Sequence, residues 1–149
     1  MNKSIFLIAQ IALFFNVSCK KSPTSSLVET VTDFDGNIYN TIQIGDQVWM
    51  AENLKVTHYR NGDAIPNVTE SSQWINLSTG AYCTYNNNNA NAETYGYLYN
   101  WFAVNDDRNI APEGWHVPTD AEWTIMVDFF GGYEVAGGKR KEAGQLHWA

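Results

Sequence analysis

Three histidines, two cysteines and one short acidic turn are the groups in this chain of 149 residues that could do chemistry beyond packing. His58, His116 and His147 lie far apart and show no H-x-x-x-H or H-E-x-x-H spacing, so no helix face offers two imidazoles to one metal. His116 stands in the stretch GWHVPTDAEW with Asp120 and Glu122 close by, and it is read as bonding backbone within that turn. Asp33-x-Asp35-Gly36-Asn37 has the oxygen-rich look of a calcium loop, but its glycine comes too early and no distal glutamate follows. It reads as a turn. Cys83 is left without an intramolecular partner if Cys19 is modified, and it is read as a buried thiol packed like a small hydrophobe. No neighbour of Cys83 in sequence would activate it as a nucleophile. No catalytic residue, metal ligand or cofactor site is assigned, and the chain is read as a non-enzyme.

The elements around these residues can be placed from local rules. Pro118 biases Val117 away from helix, Thr119 occupies an N-cap position, and Glu122 follows at N3 to complete a capping box. Pro118 and Trp123 can close a hydrophobic staple, and Asp120 and Glu122 suit the positive end of the helix dipole. Trp123, Met126, Val127 and Phe130 then form one apolar face, and Gly131-Gly132 ends the helix. Upstream, Leu27–Thr32 is a candidate first strand and Asp33–Asn37 a turn in which Gly36 supplies positive φ. Ile38, Asn40, Ile42 and Ile44 share one face of the next strand, with Tyr39, Thr41 and Gln43 on the other. Gly45-Asp46 turns the chain into Gln47–Met50, making a β-hairpin. Ser71–Ile75 reads as a helical turn carrying Trp74, Ala81–Tyr85 as a short strand, and the asparagine tract 86–91 as an exposed loop. Thr94–Val104 is expected to be one short helix whose Leu98, Trp101 and Phe102 pack on the core. Gly137-Gly138 is expected to start a turn before the basic patch Lys139-Arg140-Lys141.

The first residues give the chain an address. Lys3 precedes an apolar run, Ile5–Phe15, that is too short to span a bilayer and reads as the core of a signal peptide. It leads to Asn16-Val17-Ser18-Cys19, close to a bacterial lipobox although Asn16 stands where leucine is usual. An ordinary secretory signal cut nearby is the other reading, and lipidation at Cys19 is the one adopted. The expected organisation is therefore a signal peptide over 1–18, a lipidated tether over 19–31 and one domain over 32–149. Losing Lys3 with the signal makes the formal charge one unit more negative than −7. Such acidity argues against a nucleic-acid partner. The membrane would be engaged through the lipid anchor, in the cell envelope and most plausibly the outer membrane of a Gram-negative bacterium. The residues just after Cys19 are basic, so no acidic signal for outward display is present.

Five ordered motifs carry a family resemblance. They are Asp35-Gly36-Asn37-x-Tyr39, the run from Ile44 to Leu54, Tyr95-Gly96-x-Leu98-Tyr99-Asn100-Trp101, Gly114–Trp123 and Ala136-Gly137-Gly138-Lys139. Together they resemble the Fibrobacter succinogenes major paralogous domain, common in lipoproteins of Bacteroidetes-type bacteria. Members of that family usually continue past the Gly-Gly-Lys region into a glycine- and aromatic-rich half, so the resemblance implies a C-terminally truncated domain. Some also carry a cysteine where this chain has Ala111, which would leave Cys83 unpaired. The P-T-D-A-E-W turn is also similar to a segment of the formylglycine-generating enzyme and related sulfatase-modifying domains. That second similarity implies an α+β, C-type-lectin-like fold of short antiparallel strands, two short helices and long loops. The active-site cysteine pair of those enzymes has no counterpart here, so chemistry of that type is not expected.

What is left is a binding module. Six Trp and eight Tyr bring the aromatic share to 14%, and aromatic faces stack on sugar rings. Trp74, Tyr82, Tyr85 and Tyr97 sit beside loops and are the candidate ligand-binding residues, whereas Thr119 and Glu122 are given a structural capping role. The E-P-N and Q-P-D triplets of calcium-dependent lectins are absent. The expected function is a lipid-anchored envelope or adhesion module with a glycan or protein ligand. A structural envelope lipoprotein and a truncated inactive copy are the alternatives. In a bacterial host fed an alkyne-tagged palmitate, the chain should take up label and partition with membranes. Cys19→Ser should abolish both, and label that persists in that variant would refute lipidation at this residue.

Overall fold

The order of the N-terminal half is set by one acidic side chain in a turn. The computed structural model describes residues 29–139, and within it strand β1 is Thr30–Thr32, β2 is Ile38–Ile44 and β3 is Gln47–Met50. Asp33 closes the link from β1 to β2. Its Oδ1 accepts from the amides of Asp35 and Asn37, both at 2.9 Å, and its Oδ2 from Asn37 Nδ2 at 2.9 Å and the Tyr39 hydroxyl at 2.6 Å. Gly36 takes φ +83°, as the turn composition predicts. The Tyr39 hydroxyl in turn accepts from the Lys55 amide at 3.0 Å, so this turn also fixes the chain that leaves β3. Burial, reinforced by the bond to Asp33, pushes the Tyr39 phenol far above its ordinary pKa and keeps it a donor.

The three strands form an antiparallel sheet in the order β1-β2-β3, with Ile44 opposite Gln47 across the Gly45-Asp46 turn. The hairpin is as read from sequence. Thr30 and Val31, which fall in the stretch assigned to the tether, pair with Asn40 and Tyr39. Both faces of the hairpin are used. Tyr39 and Met50 face one buried cluster, with Leu54, Val56, Tyr59, Ile65, Ile110 and Trp115. Ile44 and Trp49 face a second, with Met126, Val127, Phe130 and Ala136. Ile38 begins the strand at 67% exposed, so the isoleucine face turns inward only toward its far end.

Helix α1 is Ser71–Trp74, strand β4 Tyr82–Cys83, helix α2 Ala92–Tyr95, strand β5 Leu98–Tyr99 and helix α3 Trp101–Val104. The asparagine tract is exposed as expected, but it is organised into 3-10 turns at Tyr85–Asn87 and Asn89–Asn91. Asn86 and Asn87 sit at φ +54° and +52°, the left-handed region that asparagine tolerates. The single helix expected over Thr94–Val104 does not form. Gly96 at φ +65° breaks it, and a Cβ there would come within 2.6 Å of the Leu54 carbonyl oxygen. Asn100 then caps α3 through Oδ1, which accepts from the Ala103 amide at 2.9 Å. Leu98, Trp101 and Phe102 point outward instead of packing on the core.

Helix α4, Asp120–Phe129, has the full capping box, with Glu122 Oε2 accepting from the Thr119 amide at 2.8 Å and Thr119 Oγ1 from the Glu122 amide at 3.3 Å. Its C-terminus is a Schellman motif, in which the Gly132 amide reaches the Val127 carbonyl and that of Gly131 the Asp128 carbonyl, both at 2.9 Å. Arg60 holds the approach to the helix, with guanidinium bonds to the carbonyls of Ala111, Pro112 and Trp115 at 2.8–3.0 Å. The turn expected at Gly137-Gly138 is instead part of helix α5, Tyr133–Lys139. Buried Ala136 packs α5 into the second cluster, and tertiary packing overrides the poor helix propensity of glycine. Leu146, Trp148 and the signal-peptide and lipidation residues lie outside the described residues. The architecture is α+β, with two small antiparallel sheets and short helices.

Replacing Asp33 removes acceptors for four donors at once, one of them a hydroxyl buried in the first cluster. Asp33→Ala is expected to destabilise the domain by roughly 2–4 kcal/mol, against about 1 kcal/mol for Thr119→Ala at the helix cap. Urea denaturation of both variants, with unchanged slope, checks the ranking.

Candidate ligand-binding face

The candidate site is built on the β4–β5 ribbon. Tyr82 pairs with Tyr99 and Cys83 with Leu98, which places three tyrosine rings together. The Tyr82 and Tyr97 ring centroids are 4.6 Å apart, and Tyr99 lies 6.3 Å from Tyr82 and 6.4 Å from Tyr97. Tyr99 donates to the Val56 carbonyl at 2.7 Å, and burial keeps its phenol well above the ordinary pKa. The ribbon is tied to the first cluster by the Tyr97 amide, which donates to the Leu54 carbonyl at 2.9 Å.

Two concavities flank this ribbon. One is an apolar cavity of about 250 Å³ lined by Tyr97, Leu98, Val104, Val117, Pro118 and Trp123, among others. The other is an open groove of about 370 Å³ between α1 and the asparagine turns, lined by Trp74, Ile75, Thr84, Asn86, Asn87 and Leu98 with a few neighbours. Leu98, 48% exposed, lines both and forms the ridge between them. Ile75 beside the groove and Trp101, just after β5, are still more exposed. Every side chain lining the groove is uncharged.

The four residues read as ligand-binding are not one flat platform. Tyr82 and Tyr97 are brought together, Trp74 lines the groove, and Tyr97 lines the cavity. Tyr85 is turned toward Tyr95, with ring centroids 5.5 Å apart. Leu98, Thr84, Asn86 and Asn87 were not among the candidates. Leu98 was hidden by the helical reading of its segment. The asparagines were visible as a loop, but nothing in the tract ties them to Trp74.

The sequence-singled histidines have other tasks. The Nε2 of His116 meets the Glu122 carboxylate at 2.8 Å, because the capping box already holds that carboxylate over the turn. His58 pairs through Nδ1 with Asp35, which also accepts from Thr57. Burial tends to raise the Asp35 pKa, but the Thr57 and His58 bonds together outweigh it and hold it below the usual carboxylate value. Among the described residues no group of three or more His, Cys, Asp or Glu is placed to hold a metal ion. Pro118 and Trp123 line the same cavity, consistent with the staple, and Trp123 also meets Trp49 edge-on at 5.3 Å. Cys83 is free and half-buried, less enclosed than the sequence suggests, and burial raises its thiol pKa.

The family model of the Fibrobacter succinogenes major domain matches residues 42–147. The chain belongs to that family. No curated protein and no solved structure matches it.

The Cys83 thiol lines the groove and is protonated at neutral pH. In a Cys19→Ser chain, iodoacetamide should therefore alkylate Cys83 more slowly than it does in urea-unfolded protein, the difference narrowing as pH rises. Equal rates in the two states at pH 7 would show that the groove gives the thiol no protection.

Proposed function

We propose that this member of the Fibrobacter succinogenes major domain family is a lipid-anchored binding module of the bacterial cell envelope. The observation that carries the reading is Leu98. A half-exposed leucine forms the ridge between an apolar cavity and an uncharged groove, with Ile75 exposed in the groove's lining. Concavities with a mostly apolar lining and a few convergent polar groups are the usual form of a ligand site, and grouped exposed apolar side chains mark interaction surfaces. The signal-like run Ile5–Phe15 and Cys19 support the anchor, and the acidic charge supports partners other than nucleic acid.

The mechanism in this reading is recognition without a chemical step. The domain is held close to the membrane by acyl chains on Cys19, and the β4–β5 face is presented to a glycan or protein of the envelope or its surroundings. Full-length protein, purified in mild detergent, should bind a subset of probes on glycan and protein arrays. Leu98→Asp should weaken that binding about tenfold or more without shifting the thermal midpoint appreciably. A cooperative melt together with an array that shows no binding would sink the proposal and favour a purely structural lipoprotein.

A further inference from the structure

We infer that the groove between α1 and the asparagine turns takes a neutral saccharide, an inference that rests on the binding-module reading and gives it a ligand class. Four features point to this chemistry. Thr84 is only 3% exposed and lines the groove, yet its hydroxyl makes no hydrogen bond with any described residue. Unlike the Tyr59 hydroxyl, which is fully enclosed with no partner among the described residues, the Thr84 oxygen is accessible, and its open side is the groove. Trp74 lines the same space with an indole N–H that has no partner among the described residues, beside an aromatic face suited to the C–H face of a pyranose.

The third feature is the pair of side-chain amides on the opposite rim. Asn86 and Asn87 are held in the left-handed region, which places both side chains at the groove. Asn87 Nδ2 donates to the Thr69 carbonyl at 3.0 Å, so its Oδ1 is left as an acceptor, and the Asn86 side-chain amide has no partner among the described residues. The lining thus offers both donors and acceptors together with an aromatic side chain, a combination that sugar hydroxyls match because each both donates and accepts. The fourth feature is charge. With no Lys, Arg, His, Asp or Glu in the lining, an anionic or cationic ligand would find no counter-charge. The volume of about 370 Å³ is that of a small-molecule site, for which the usual range is about 300–1,000 Å³. The neighbouring apolar cavity lacks this ring of hydroxyls and amides and does not fit a sugar.

The test uses the full chain labelled with 5-fluorotryptophan and read by fluorine NMR, the Trp74 resonance being the one lost in Trp74→Phe. Maltose, cellobiose, lactose and chitobiose are titrated separately to millimolar concentration. At least one should shift the Trp74 resonance saturably. Thr84→Val should then weaken that sugar about tenfold and Thr84→Ser much less, and Trp74→Ala should abolish its binding as read by saturation transfer to the sugar's own proton signals. Asn86→Gly, which keeps the positive φ and removes only the amide, should weaken it several-fold in a chain whose fold is undisturbed. A Trp74 resonance that none of the four sugars moves overturns the inference, as does a shift indifferent to both Thr84→Val and Asn86→Gly. If array binding then persists and depends on Leu98, the saccharide site is lost while the binding face stands; if array binding is absent too, both fall.

Discussion

The bond from the Tyr39 hydroxyl to the Asp33 carboxylate is the constraint on which the rest of this domain is arranged. Neither group would be stable there alone. Asp33 is a buried carboxylate and needs several donors, and Tyr39 is a buried phenol and needs an acceptor. Together they close the β1–β2 turn and receive the Lys55 amide, which sets where the chain runs after β3. One residue earlier, the Leu54 carbonyl accepts the Tyr97 amide, and Gly96 has no room for a side chain against that same oxygen. The position of β5 is therefore traceable, through two backbone groups, to an acidic side chain far earlier in sequence.

The hairpin divides what it supports. Trp49 and Met50 are consecutive and both fully buried, which is possible only because a strand sends them to opposite faces and each face has its own cover. The irregular chain from Leu54 to Trp115 covers one face, and α4 with α5 covers the other. Arg60 ties the early part of the first cover to its end by taking three carbonyls in the segment that leads to α4. A planar guanidinium suits that task, because it offers several donors in a fixed fork.

Where sequence was legible, the signal was local and redundant. Thr119, Glu122 and Gly131-Gly132 each mark a helix end by a mechanism that needs no distant partner, and the Gly45-Asp46 turn does the same for the hairpin. The five ordered motifs were enough for the family. The Gly137-Gly138 helix was illegible because its stability comes from Ala136 packed in the second cluster, a tertiary effect. The His116–Glu122 pair was illegible for a different reason. Glu122 was given a capping role alone, although a carboxylate has acceptor sites to spare for an imidazole. For the candidate site, Trp74, Tyr82 and Tyr97 were legible by type and loop position, while their division between a groove and a cavity was not.

The failed helix over Thr94–Val104 is the instructive case. Leu98, Trp101 and Phe102 have the spacing of one helical face, and that spacing argues for burial only if the backbone between them is free to be helical. It is not free. Gly96 is committed to its contact with Leu54, and Asn100 is committed three ways, to the Ala81 and Ala103 amides and the Thr79 carbonyl. Those commitments are made with backbone, so they are invisible to a count of apolar positions. Their result is that Ala103, the smallest apolar side chain of α3, is fully buried, while Trp101 is left at 67% exposed. A domain that sought only stability would gain by the reverse, since area removed from water is what stabilises. The backbone here holds large apolar side chains outward, and the binding proposal takes its support from such exposed side chains.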